Sequence, residues 1–305
     1  MCTVIYIPSF ESESRIGKAL NIMLYVINRT EAADFSEEIV WDFSRCGFLH
    51  PFLIGGLCVY RLKSDRNISI QGTSGTLERY MSLIHFEDSI ELTDASAAAS
   101  LMADYGKKSY IPICRFLTQD DQTIDTITAA LQRIIQRQAN LPATFTSALS
   151  YLLSELTANI HDHSESMYAY MFSQYLEREG CINICIIDNG ISISGSFQKS
   201  SKYKDSNLGN DGEILNMALS HCSTKNLPDQ ENRGFGLPTT KKMLAEGMGG
   251  SFMIVSGNAF HRHDPHGEQT AELQDRFAWD GTFVLLKIPV TLPEGFNYLK
   301  YAERI

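Results

Sequence analysis

What this 305-residue chain lacks narrows its class first. No apolar run approaches the roughly 18 residues that a membrane-spanning helix needs. The best, around Phe52–Tyr60, amounts to one strand or two helical turns. Basic residues are in deficit, 26 against 36 acidic ones, and a formal charge of −10 argues against a general surface for nucleic-acid backbones. The cysteines Cys2, Cys46, Cys58, Cys114, Cys181, Cys185 and Cys222 show no paired CxxC spacing, and most lie in apolar runs. They read as core thiols of a reducing, cytoplasmic compartment. The start, Met1-Cys2-Thr3, has neither a basic region nor a cleavage site, so no signal peptide is expected. Repeats and low-complexity tracts are absent. So is any GxxxxGK[ST] segment, which excludes a P-loop.

What is present alternates between strand and helix signals, which predicts an α/β chain of two domains, 1–118 and 119–305. In the first, strands are expected at Thr3–Ile7, Ile39–Phe43 and Asn67–Gln71, and helices at Arg15–Ile27, Pro51–Leu62 and Thr76–Phe86. The run Ile39-Val40-Trp41-Asp42-Phe43-Ser44, leading through Phe48-Leu49-His50-Pro51 into an apolar helix, resembles the STAS-type module of bacterial partner-switching systems over roughly residues 1–90. Phospho-accepting members carry serine or threonine just before that helix. His50-Pro51 stands there instead, so the resemblance implies a protein-docking layer that is not phosphorylated at this place.

The polar stretch Thr118–Thr123 marks the boundary and starts a helix, Ile124–Gln138. A second helix, Ala143–His163, buries the stripe Phe145, Leu149, Leu152 and Leu156. Glu155, Asn159 and His163 recur four apart at its margin. An apolar strand, Ile182–Ile187, ends in Asp188-Asn189-Gly190-Ile191-Ser192. Carboxylate and glycine at a buried strand end suit a donor on a flat ring approached closely by backbone. The run Ser194–Asp211 reads as a polar loop. Arg233-Gly234-Phe235-Gly236-Leu237-Pro238 then precedes a helix, Thr239–Glu246, an arrangement suited to phosphate. His221–Arg233 reads as a lid. Gly249-Gly250 and Gly281-Thr282 lead into the closing strands Ser251–Val255 and Phe283–Pro289, with a polar loop between them.

Together, Glu155-x-x-x-Asn159-x-x-x-His163-Ser164, Asp188-x-Gly190, Gly234-x-Gly236-Leu237 and Gly281-Thr282 resemble the GHKL family over roughly residues 120–290. That family comprises gyrase-type and mismatch-repair ATPases, sensor histidine kinases and anti-sigma-factor serine kinases. The resemblance implies an α/β sandwich that binds ATP with magnesium. Asn159 would be the magnesium ligand and Asp188 the acceptor for the adenine amino group, with Gly190 against the ring. Gly234 and Gly236 would form the lid hinge, with Phe235 and Leu237 between and after them, and Thr282 would lie near adenine. Glu155 would be the general base, which favours hydrolysis or transfer to serine. One departure is Ser192, where the family has a second glycine; it leaves the shape of the adenine pocket open.

The implied protein is a Mg-ATP-dependent regulator that hydrolyses ATP or phosphorylates a partner protein. A rival is a non-catalytic conformational switch; a third reading is a histidine-kinase catalytic subunit acting on a separate protein. Family members often dimerise, but no interface is legible in the sequence. Two signals are set aside. His261-Arg262-His263 and His266 have metal-ligand types, yet their neighbours read as an exposed loop. His161, between Asn159 and Asp162, does not reproduce a phospho-accepting histidine motif.

Overall fold

The computed structural model describes residues 2–9, 17–118, 121–204, 206–220, 222, 224, 236–273 and 277–302. They form a mixed α/β structure with two sheets. The smaller sheet is parallel, ordered β1 (Cys2–Tyr6), β2 (Glu38–Asp42), β3 (Ile68–Gln71). Its strands are joined by α1 (Gly17–Glu31) and α2 (Pro51–Lys63), and α3 (Gly75–Leu83) follows. Proline at the first position of α2 has no N–H to leave unpaired. His50 Nδ1 accepts from Phe52 N at 3.2 Å and caps the helix.

The larger sheet begins with β4 (Ile90–Leu92), continues through α4 (Ala95–Tyr105) to β5 (Tyr110–Leu117), and reaches α5 (Asp121–Ala139) and α6 (Ala143–His163). Next come β6 (Tyr168–Leu176), β7 (Cys181–Asp188), α7 (Ile193–Lys199) and α8 (Asp211–Ala218). After α9 (Gly236–Lys242), a π-helical turn over Met243–Gly247 precedes β8 (Ser251–Gly257), β9 (Ala259–Asp264), β10 (Gly267–Glu272), β11 (Trp279–Pro289) and α10 (Leu299–Ala302). Strand order is β10-β9-β8-β11-β7-β6-β5-β4, antiparallel except for the β4–β5 pair.

Strands β4 and β5, which precede residue 118, pair within the large sheet rather than the small one. Two hydrophobic cores lie on opposite faces of the large sheet. On one face of the large sheet, Cys185, Ile187, Phe283 and Leu285 join a core with α1, α2, β1 and β2. On the other, Ile182, Ile184, Ile186, Val284 and Leu286 join the buried stripes of α5 and α6. Burial on both faces explains why β7 reads as apolar on both faces, Asn183 excepted, rather than alternating. Helix α2 is buried over Pro51–Val59 and packs on β6 and β7. Gly55 and Gly56 permit that approach: a β-carbon on Gly55 would lie 3.1 Å from Cys185 Cβ, and one on Gly56 3.0 Å from Phe283 Cε1. Phe52 stacks on Phe283 with ring centroids 4.7 Å apart.

Two sequence expectations need correction. The polar run after Ser194 is not a loop throughout. It holds α7, capped by Ser192 Oγ accepting from Gly195 N at 3.1 Å, and its end becomes the Asn210–Glu213 capping box of α8. The segment between the closing strands is the hairpin β9–β10, not a loop, and His261 and His263 are buried on it. No helix among the described residues is long and apolar enough to cross a membrane.

Candidate functional site

Helix α6 presents Tyr151, Glu155 and Asn159 four residues apart on one flank. The start of α9 lies directly against them: a β-carbon on Gly236 would sit 2.9 Å from Glu155 Oε2 and 3.1 Å from Asn159 Nδ2. Glycine lets the α9 backbone approach both groups without displacing their side-chain ends. The Tyr151 hydroxyl bonds both Glu155 and Thr239 of α9, while burial and the neighbouring Glu155 carboxylate push its pKa up to about 12. Tyr151 escaped the sequence reading, although its position one helical turn before Glu155 was the available signal. Asn159 Nδ2 is buried without a hydrogen-bond partner among the described residues. Such an orphan normally costs about 1–3 kcal/mol. Because the two ends of a carboxamide are assigned from their partners, either end can face Gly236.

The C-terminal end of α6 meets the end of β7. Ile191 N donates to Ser164 O at 2.6 Å, and a β-carbon on Gly190 would collide with that same carbonyl. Gly190 is therefore needed for a close backbone crossing. Asn159 lies five residues before Ser164, about 7.5 Å along the helix. One short stretch of helix thus links the Glu155–Asn159 group to Asp188.

Asp188 is 1 % exposed. Its Oδ1 accepts from Gly190 N at 3.0 Å, and the backbone and hydroxyl of Thr282 bond it as well. Burial outweighs these bonds and the nearby Lys63 charge, raising its pKa to about 7. Gly281, with φ +86°, lies across Asp188: a β-carbon there would overlap Oδ1 and come 2.8 Å from Gly190 N. Ser256 ties the surroundings together, accepting from Ile193 N at 2.8 Å and donating to Gly281 O at 2.9 Å.

His163 Nδ1 pairs with Thr224 Oγ1 at 3.0 Å, and Thr224 meets Ser196 Oγ of α7 at 3.3 Å. Leu237 packs, partly buried, on the core beside α6. Gly234 and Phe235, and all but Cys222 and Thr224 of the expected lid His221–Arg233, lie outside the described residues.

Of the histidines set aside as loop residues, His266 lies exposed in the turn between β9 and β10, whereas His261 and His263 belong to a buried polar group. His261 Nδ1 bonds Thr270 Oγ1 at 2.8 Å, and burial lowers its pKa to about 4. Glu268, bonded to Lys241 at 2.7 Å, lies 3.8 Å from His261 Nε2 and 3.9 Å from His263 Nδ1.

The structure therefore gathers Glu155, Asn159 and Gly236 at one end, and Asp188, Gly190, Gly281 and Thr282 at the other, along the last turns of α6. Chemically, this sets a carboxylate and a buried amide nitrogen without a partner among the described residues near a buried acid bounded by glycine backbone. No family model, curated protein or solved structure matches the chain.

Proposed function

We propose that the chain is a Mg-ATP-binding regulator of GHKL type that hydrolyses ATP or phosphorylates a partner protein. The observation that carries this reading is the close approach of Gly236 to both Glu155 and Asn159, which brings residues far apart in sequence together. The unpartnered Asn159 Nδ2 and the glycines packed on Asp188 support a nucleotide reading. Asn159 would hold magnesium through its carboxamide oxygen, and the ion would supply charge neutralisation on the phosphates. Glu155 takes the proton from an attacking water or hydroxyl, and Tyr151 holds the Glu155 side chain in place. Asp188, when ionised, accepts from an exocyclic amine, while Thr282 and the Gly190 N–H keep the carboxylate oriented.

Ser192 stands where the resembled family has a second glycine. Its hydroxyl is engaged in capping α7, so the substitution has a local structural role. In the N-terminal layer, strand β2 leads to α2 through buried His50, whose pKa burial lowers to about 4. A neutral, capping imidazole there supports a STAS-like docking layer that acts through packing rather than phosphorylation. A cytoplasmic setting and a protein partner belong to the same proposal.

The test is incubation of purified protein with ATP labelled on the terminal phosphate. Released phosphate or a labelled partner supports the enzyme. Tight binding without turnover makes the protein a switch, and no binding of ATP overturns both.

A further inference from the structure

Strand β11 is irregular where it approaches the site. Its pairing with β8 shifts register between Trp279 and Thr282, so the intervening residues lose regular ladder partners. Side chains take up two successive carbonyls of this bulge: Ser256 Oγ donates to Gly281 O at 2.9 Å, and Lys63 Nζ donates to Asp280 O at 3.2 Å. The Lys63 ammonium also stands 5.1 Å from the Trp279 ring centre. Ser256 belongs to the same sheet as the bulge. Lys63 does not: it is the last residue of α2, where the helix end favours a cation. The same helix grips β11 again through Phe52 on Phe283.

We propose that Lys63 is a positioning residue for the adenine end of the site, holding the Trp279–Thr282 bulge over Asp188 and making nucleotide affinity depend on the N-terminal layer. This rests on the reading of Asp188 as the adenine acceptor. The groups that act on Asp188 are Lys63 from α2, the Gly190 N–H from beyond β7, and the Thr282 N–H and hydroxyl from β11; Asp280 faces Lys63 itself. Removing the Lys63 charge leaves Asp188 with hydrogen bonds alone against its burial. Its protonated form then persists to higher pH.

The experiment compares the full chain with Lys63→Met and Lys63→Arg by calorimetry with Mg-ADP and Mg-ATP between pH 6 and pH 9. Lys63→Met is expected to weaken both nucleotides equally, by about two- to ten-fold, the share of one hydrogen bond. The pH at which affinity falls is expected to move upward, and Lys63→Arg to restore wild-type behaviour. Wild-type affinity and pH profile in a normally folded Lys63→Met protein would overturn the proposal, as would failure of arginine to rescue. A carbon-13 titration of the Asp188 carboxyl, without nucleotide, separates this idea from the nucleotide reading. If wild-type protein binds neither nucleotide, the nucleotide reading fails and takes the adenine role of Lys63 with it. The Asp188 midpoint then shows whether α2 still acts on this carboxyl: an upward shift in Lys63→Met retains that link, and no shift removes it too.

Discussion

Gly281 crosses Asp188 so closely that no side chain fits between them. Its backbone also occupies the left-handed region, with φ +86°, where a β-carbon adds strain of about 1–3 kcal/mol. Gly281→Ala is therefore expected to lose at least that much stability in denaturant unfolding. It should also lose adenine-nucleotide binding measured well below the unfolding midpoint. Unchanged affinity would remove the bulge from the site.

Burial raises the pKa of Asp188 from the ordinary aspartate value of 3.8 to about 7. A raised carboxylate pKa means that the folded state holds a proton the unfolded chain has released. Stability therefore falls as pH rises from about 4 to about 7, and the penalty is complete above 7. Asp188→Asn removes the buried charge. Its melting temperature should exceed wild type at pH 8, with the gain disappearing near pH 4. The same variant should weaken ATP and ADP alike, since both carry adenine. A selective loss of ATP contradicts the assignment.

Glu155→Ala is expected to keep ATP binding and slow turnover by about 10²–10⁴-fold, the usual share of a general base. Single-turnover phosphate release measures this directly. Equal rates in wild type and variant exclude Glu155 from the chemistry.

Ser192 caps α7. Ser192→Ala should cost about 1 kcal/mol of stability and Ser192→Gly only a few tenths. Both should leave nucleotide affinity near wild type. A large gain in affinity for Ser192→Gly would show instead that the serine narrows the pocket.

The legible parts of this chain were those with strong periodicity. The stripe Phe145, Leu149, Leu152 and Leu156 is fully buried or nearly so, and β7 and β11 occupy the middle of the large sheet. The pair β9 and β10 was not legible. Strand β10 is a polar edge strand, Gly267–Glu272, whose extended form depends on its partner rather than on its own side chains. His261 looked solvent-exposed because its neighbours Arg262 and Asp264 are charged, yet alternation along β9 turns it inward.

Local sequence determined the helical row that brings Tyr151, Glu155 and Asn159 to one flank, because a turn of 3.6 residues aligns positions four apart. It also determined the buried strand that ends at Asp188. Only the tertiary structure decided that α9 begins against that row, that Gly281 crosses Asp188, and that Lys63 of α2 reaches the bulge beside it. Those meetings depend on sheet order and register, which bring distant segments together and which no local spacing specifies.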